Sequence, residues 1–145
     1  MLASHVSFQE KAFSLIELMV VMSLVGILAS VALPSYFKYV SRSNRVQAVS
    51  YLMNLANKEE QIMLDTHQYS TSYSTLLPVP AEVSTNYTIS VAVNNSAAPP
   101  TYTITATPIN VQLAGDAKCG TLTLNQAGTT TKSGTDTVQN CWGGR

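Results

Sequence analysis

The stretch "KAFSLIELMVVMSLVGILASVALPS", residues 11–35, decides how the rest of the chain is read. From Phe13 to Leu33 it carries a single charge, Glu17. A helix of that length, rising about 1.5 Å per residue, spans roughly 32 Å, the thickness of a bilayer core. Three ordinary readings compete for it. A secretory signal needs a basic start, an apolar core of about 7–15 residues and a small-residue cleavage site. Ser30-Val31-Ala32 offers the last, but the core is too long and Glu10 offsets Lys11. A plain membrane anchor has no use for Glu17, because an acid costs about 2.5–3.5 kcal/mol at the centre of a span and less near its end. A wholly buried core helix would need more covering protein than the rest of the chain supplies.

Glu17 is therefore a candidate site residue whose partner must be identified. No Lys or Arg lies between Phe13 and Leu33. Cutting the chain between Ala12 and Phe13 creates a cation, a new α-amino group four residues from Glu17. Such a group has an ordinary pKa near 8 and is mostly protonated at neutral pH. Pairing it with Glu17, within one helix or between neighbours, neutralises both charges in apolar surroundings.

The segment "KAFSLIELMVV", residues 11–21, resembles the class III signal of type IV pilins. Lys11, Phe13, Leu15, Ile16 and Glu17 match that signal, Ser14 stands for its usual Thr, and Ala12 stands where Gly is usual. Gly26, Pro34, Tyr36 and Tyr39 fall in register with residue types common in pilins. The resemblance implies a leader at 1–12, cleavage between Ala12 and Phe13, N-methylation of Phe13 and an assembly role for Glu17. It implies as partners a prepilin peptidase, an inner-membrane assembly platform, other pilins in the filament, and membrane lipid before assembly. The implied location is the inner membrane, with the head on the periplasmic side, and then an extracellular pilus.

Residues 34–64 continue the helix with an amphipathic pattern, the apolar positions being Val46, Val49, Leu52, Met53, Ala56 and Met63. Arg42, Arg45, Asn57, Lys58 and Glu60 supply its polar positions, and Glu59 is expected on a solvated face. Pro34 is expected to kink or break the helix and Gly26 to weaken it. Residues 65–85, rich in Ser, Thr and Tyr with two prolines, read as a connecting loop, and His67 as one of its residues. Within 86–145, Tyr87, Ile89, Val91 and Val93 alternate with polar residues, as do Tyr102, Ile104 and Ala106; Leu122 and Leu124 mark a third strand. The expected fold is α+β: a long N-terminal helix, transmembrane half 13–33 and amphipathic half 34–64, packed on a three- or four-stranded antiparallel sheet as in type IV pilins.

Two cysteines, Cys119 and Cys141, read as a disulfide if this part is exported, worth roughly 3 kcal/mol on the chain-entropy model; two separate buried thiols are the alternative. The tail from Cys119 to Trp142, with a Leu-x-Leu strand and a Gly/Thr/Ser loop, resembles the PilE-like minor pilins, a group that includes ComP-like DNA-uptake receptors. Lys118, Lys132 and Trp142 are the candidate DNA contacts, against a formal net charge of zero that gives no global pull toward nucleic acid; the competing and favoured reading is a solvated disulfide loop with Trp142 packed on the core. The pseudopilins of type II secretion share the N-terminal signal and are a further alternative. The histidines His5 and His67 stand far from both cysteines in the chain, so no metal or cofactor set is expected. No nucleophile elbow or phosphate-binding glycine loop occurs, which argues for a structural rather than an enzymatic role.

Overall fold

A computed structural model describes residues 13–143; residues 1–12, the expected leader with Lys11 and Ala12, and residues 144–145 lie outside the described residues. The first element, α1 (Leu15–Thr66), runs through Gly26 and Pro34 without interruption. The expected break at those two residues is therefore corrected. Pro34 withholds one N–H from the carbonyl of Ser30, but the ladder continues on both sides, and one missing bond does not undo a cooperative helix. The chain divides into two units after Tyr36, and each is described by itself.

The second unit begins at Phe37 and forms the head. Its elements after α1 are α2 (Tyr73–Leu76), α3 (Ala81–Ser84), β1 (Tyr87–Asn94), β2 (Thr101–Pro108), α4 (Asn110–Gly115), β3 (Leu122–Asn125), β4 (Thr130–Lys132) and α5 (Val138–Trp142). The four strands pair antiparallel in the order β1-β2-β3-β4. Ile89 faces Ala106, Val91 faces Ile104, Val93 faces Tyr102, and Ile104 also faces Leu124. Every inward residue expected from the alternation thus meets an inward partner across the ladder, the arrangement that fixes register when one face is buried.

The helix that covers this sheet follows its hydropathy pattern in part. Val46 and Met53 are 44% and 46% exposed, whereas Ala48, Leu52 and Leu55 are fully buried. The inward face follows 45, 48, 52, 55 and 59, a 3.6-residue period that includes Arg45 and Glu59. Of the expected apolar stripe, Val49 and Leu52 are buried and Ala56 and Met63 partly buried against the core, while the face also takes in Ser41, Arg45 and Glu59 and leaves Val46 and Met53 outside. The core holds Leu52, Leu55, Tyr87, Ile104, Leu122 and the two cysteines.

The connecting segment is tied down rather than loose. Helix α1 ends where His67 takes a positive φ of 61°. The amide of Asn95 then clasps the backbone of Tyr69, accepting from its N–H and donating to its carbonyl, both at 2.9 Å. The N–H of Ser70 donates to Glu59 Oε2 at 2.8 Å. Further along, the hydroxyls of Tyr51 and Tyr73 donate to the carbonyls of Leu77 and Ile89, each at 2.8 Å. Glu59 is thus not on a solvated face, as the sequence suggested, but fully buried under the segment it holds. Its Oε1 has no hydrogen-bond partner, and burial pushes its carboxyl above the usual range despite the Ser70 N–H.

Candidate functional site

Three features of the molecule bear on function: the apolar first unit, the disulfide-bounded tail, and a polar network at one end of the head. In the first unit the side chains of Phe13, Leu15, Ile16, Leu28 and Val31 are 68–82% exposed, with Leu15 the most exposed. Glu17 lies in the first turn of α1, where a negative charge suits the exposed N–H groups. Ser23 and Ser30 donate to the carbonyls of Met19 and Ile27, so their hydroxyls place no outside demand on an apolar environment.

In the tail, Cys119 and Cys141 form a disulfide with a Cα–Cα distance of 5.5 Å. It joins the turn three residues before β3 to α5. The hydroxyl of Thr137 caps α5 by accepting from Asn140 N–H at 3.1 Å. Gly134 lies against Lys118: a Cβ there would stand 2.1 Å from the Lys118 carbonyl oxygen, which is why only glycine fits. A carboxylate oxygen of Asp136 lies within 4.8 Å of both sulfurs, but sulfurs bonded to each other offer no thiolate to a metal. Hydrogen bonds from Asn140 and Thr137, helped by Lys118, hold the Asp136 carboxyl below its usual range.

The three candidate DNA contacts fare differently. Trp142 is only 9% exposed, and its indole N–H donates to the Thr131 carbonyl at 2.9 Å, so it packs on the core and is not a stacking platform. An indole with a buried N–H needs such an acceptor, and the β4 carbonyl provides it. Lys132 donates to the Gly134 carbonyl, while Lys118 is exposed. Lys118 lines a cleft of about 580 Å³ that also contains Lys38, Arg42 and Arg45. The sequence reading missed Lys38 and Arg42 as its neighbours, because they stand almost a whole head away along the chain.

Behind that cleft lies the buried polar network. Arg45 Nη1 pairs with Asp116 Oδ1, and the Tyr87 hydroxyl donates to Asp116 Oδ2 at 3.1 Å. Gln112 Nε2 reaches the Ser41 carbonyl and the Tyr87 hydroxyl, both at 2.8 Å, and its Oε1 accepts from Asn44 at 3.2 Å. Burial pushes the Asp116 carboxyl up, against the opposing pull of Arg45, Tyr87 and Gln112. It pushes the Tyr87 phenol up as well, reinforced by the adjacent Asp116 charge. The network fastens α4 to α1 and thereby shapes one end of the head.

Comparison with known proteins decides the family. Residues 34–123, more than half of the chain and most of the head, match the family described as "Type IV minor pilin ComP, DNA uptake sequence receptor". The chain belongs to the ComP family of type IV minor pilins. In this pilin, residues 8–33 also match the prokaryotic N-terminal methylation motif. The chain is similar to a fimbrial protein of Pseudomonas aeruginosa, 41% identical over 39% of this chain and 36% of the relative. It is similar to the type IV major pilin protein PilA of Myxococcus xanthus, 33% identical over 48% of this chain and 32% of the relative. The type II secretion system core protein G of Escherichia coli is 33% identical over 44% of both chains. The pilin therefore spans less than half the length of each of these curated relatives. A type IV pilin from Shewanella oneidensis has a TM-score of 0.49 and 24% identity, covering 62% of this chain and 89% of that one.

Proposed function

We propose that this minor pilin is cut between Ala12 and Phe13, methylated at the new Phe13 amine, and built into a pilus through its 13–33 helix. The observation that carries this reading is a helix segment whose large apolar side chains are all exposed, with one acid in its first turn. Such a surface is stable only in lipid or against other helices like it. Before assembly the segment spans the inner membrane, with the head on the periplasmic side. An assembly platform then moves it into the filament. The intact mass of the protein from sheared pili tests the processing: the expected mass lacks residues 1–12, carries one methyl, and is two hydrogens below the reduced chain. An uncut chain in the filament would sink the proposal.

A second role follows from the ComP match over residues 34–123: the head serves as a receptor for duplex DNA. Lys118 and Lys132 are the contacts that support it, with Trp142 removed from the set by its burial. Titrating the head from Phe37 onward against duplex DNA should give binding that weakens as salt rises. Replacing both lysines with Ala should flatten the log–log salt slope by about two, one per lost phosphate contact. Trp142→Phe should leave that slope unchanged. Absence of binding at low salt, or binding indifferent to salt, removes the DNA reading.

A further inference from the structure

Helix α4 is inside out. Gln112, its one buried residue, points inward, while Val111 and Leu113 on either side are 78% and 58% exposed. The inversion cannot relax by rotation, because the Gln112 amide is held by Ser41, Tyr87 and Asn44 at once. Turning α4 to bury Val111 would strand those polar groups, at a cost that burying one valine does not offset. Along one flank of α4 lies an apolar groove of about 400 Å³ that includes Phe37, Val40 and Val111. Along the other flank lies the cleft with Lys38 and Arg42. Between residues 34 and 57 α1 has three basic residues and no acid; Arg45 is buried and paired with Asp116, which leaves Lys38 and Arg42, and Lys118 and Asp136 also line their cleft.

We propose that this end of the head docks on the surface of an anionic phospholipid bilayer before assembly, Phe37, Val111 and Leu113 entering the interface while Lys38 and Arg42 meet the phosphate groups. The inference rests on the reading that residues 13–33 are inserted in that bilayer. Two observations select lipid as the occupant. One is charge: Lys38 and Arg42, immediately beyond an apolar span, add electrostatic attraction to anionic headgroups to the apolar contact of Phe37, Val111 and Leu113. The other is continuity along the chain: Phe37 follows Leu33 by four residues, which reach at most about 14 Å in any conformation. Exposed aliphatic residues beside cations and aromatic residues are the composition of an interfacial surface. Docking would hold the head in one orientation on the bilayer and keep an adhesive apolar surface covered until a filament takes up the subunit.

The test uses the full chain in vesicles of phosphatidylethanolamine with phosphatidylglycerol, and in vesicles of phosphatidylcholine alone. Nitroxide labels are placed singly through Val25→Cys, Val111→Cys and Ser96→Cys, the native cysteines being oxidised. Accessibility to oxygen and to an aqueous nickel chelate reports the depth of each label. The expected result has the label at 25 deep, the label at 96 in water, and the label at 111 at interfacial depth in the anionic vesicles only. Lys38→Gln should lower the docked-to-undocked ratio roughly fivefold in those vesicles. A label at 111 as wet as that at 96, with 25 deep, overturns the docking while leaving insertion intact. Protection at 111 that is equal in phosphatidylcholine, or that arises only in assembled filaments where a second subunit covers the face, overturns it too. A wet label at 25 overturns insertion and docking together.

Discussion

Arg45→Met is expected to destabilise the head by about 3–5 kcal/mol, the cost of leaving a buried charge without its partner. Asp116 is 5% exposed and keeps the Tyr87 and Gln112 donors in the variant, but it loses its only cation in the network. The loss depends on pH in a defined direction. Burial already raises the Asp116 carboxyl above its ordinary value, and removing the guanidinium raises it further. The folded variant then binds a proton more readily than the unfolded chain, so its stability increases as pH falls. The deficit relative to the parent head is therefore largest at neutral pH and narrows as pH drops toward about 4, the ordinary aspartate range. Denaturant unfolding of the head from Phe37 onward, at pH 7 and pH 5, measures both effects. Asp116→Leu in the Arg45→Met background should recover most of the loss, because it removes the stranded charge. A deficit below about 1 kcal/mol at pH 7 would show that water reaches Asp116 and that the pair belongs to the surface class.

Much of this architecture was readable in the chain because it depends on local pattern. The strand alternation at Tyr87–Val93 and Tyr102–Ala106 named the inward residues correctly, and the pairing of Ile89 with Ala106 and Val91 with Ile104 places them face to face. The long helix was legible from its apolar run and its continuing period. Its exact limits were not, because the buried face also takes in Arg45 and Glu59, and each is buried for a reason supplied from far along the chain. Asp116 neutralises the first; the N–H of Ser70 meets only one oxygen of the second. Helix α4 was missed outright. A six-residue helix leaves almost no periodic signal, and its placement depends on Gln112 meeting Ser41 and Tyr87 across the fold. Trp142 packs on the core, the favoured reading from the sequence, and the Thr131 carbonyl supplies what composition could not show, an acceptor for its buried N–H. The assembly role proposed for Phe13 and Glu17 rests on sequence alone, on the spacing of a charge within an apolar run.

That spacing makes Glu17→Val the most informative single substitution for assembly. Removing the carboxylate makes the 13–33 segment more apolar, so membrane insertion should be retained or improved. Assembly should nonetheless fail, because the Phe13 amine made by the cut then enters a bundle of apolar helices without a counter-charge. Breaking a buried pair costs about 3–5 kcal/mol, which corresponds to a fall of roughly two to three orders of magnitude in incorporation. Carbonate extraction of membranes should show the variant retained at the parent level, while immunoblots of sheared pili should show it nearly absent. Two further variants separate charge from shape. Glu17→Gln keeps the size and a hydrogen-bond acceptor but not the charge, and should fail almost as completely as Val. Glu17→Asp keeps the charge on a shorter stem and should retain part of the incorporation. If the Val variant appears in pili at the parent level, the amine is neutralised by some other group and the pairing does not drive assembly. If Gln assembles and Val does not, a hydrogen bond is sufficient, and the role of Glu17 is to accept one rather than to carry charge.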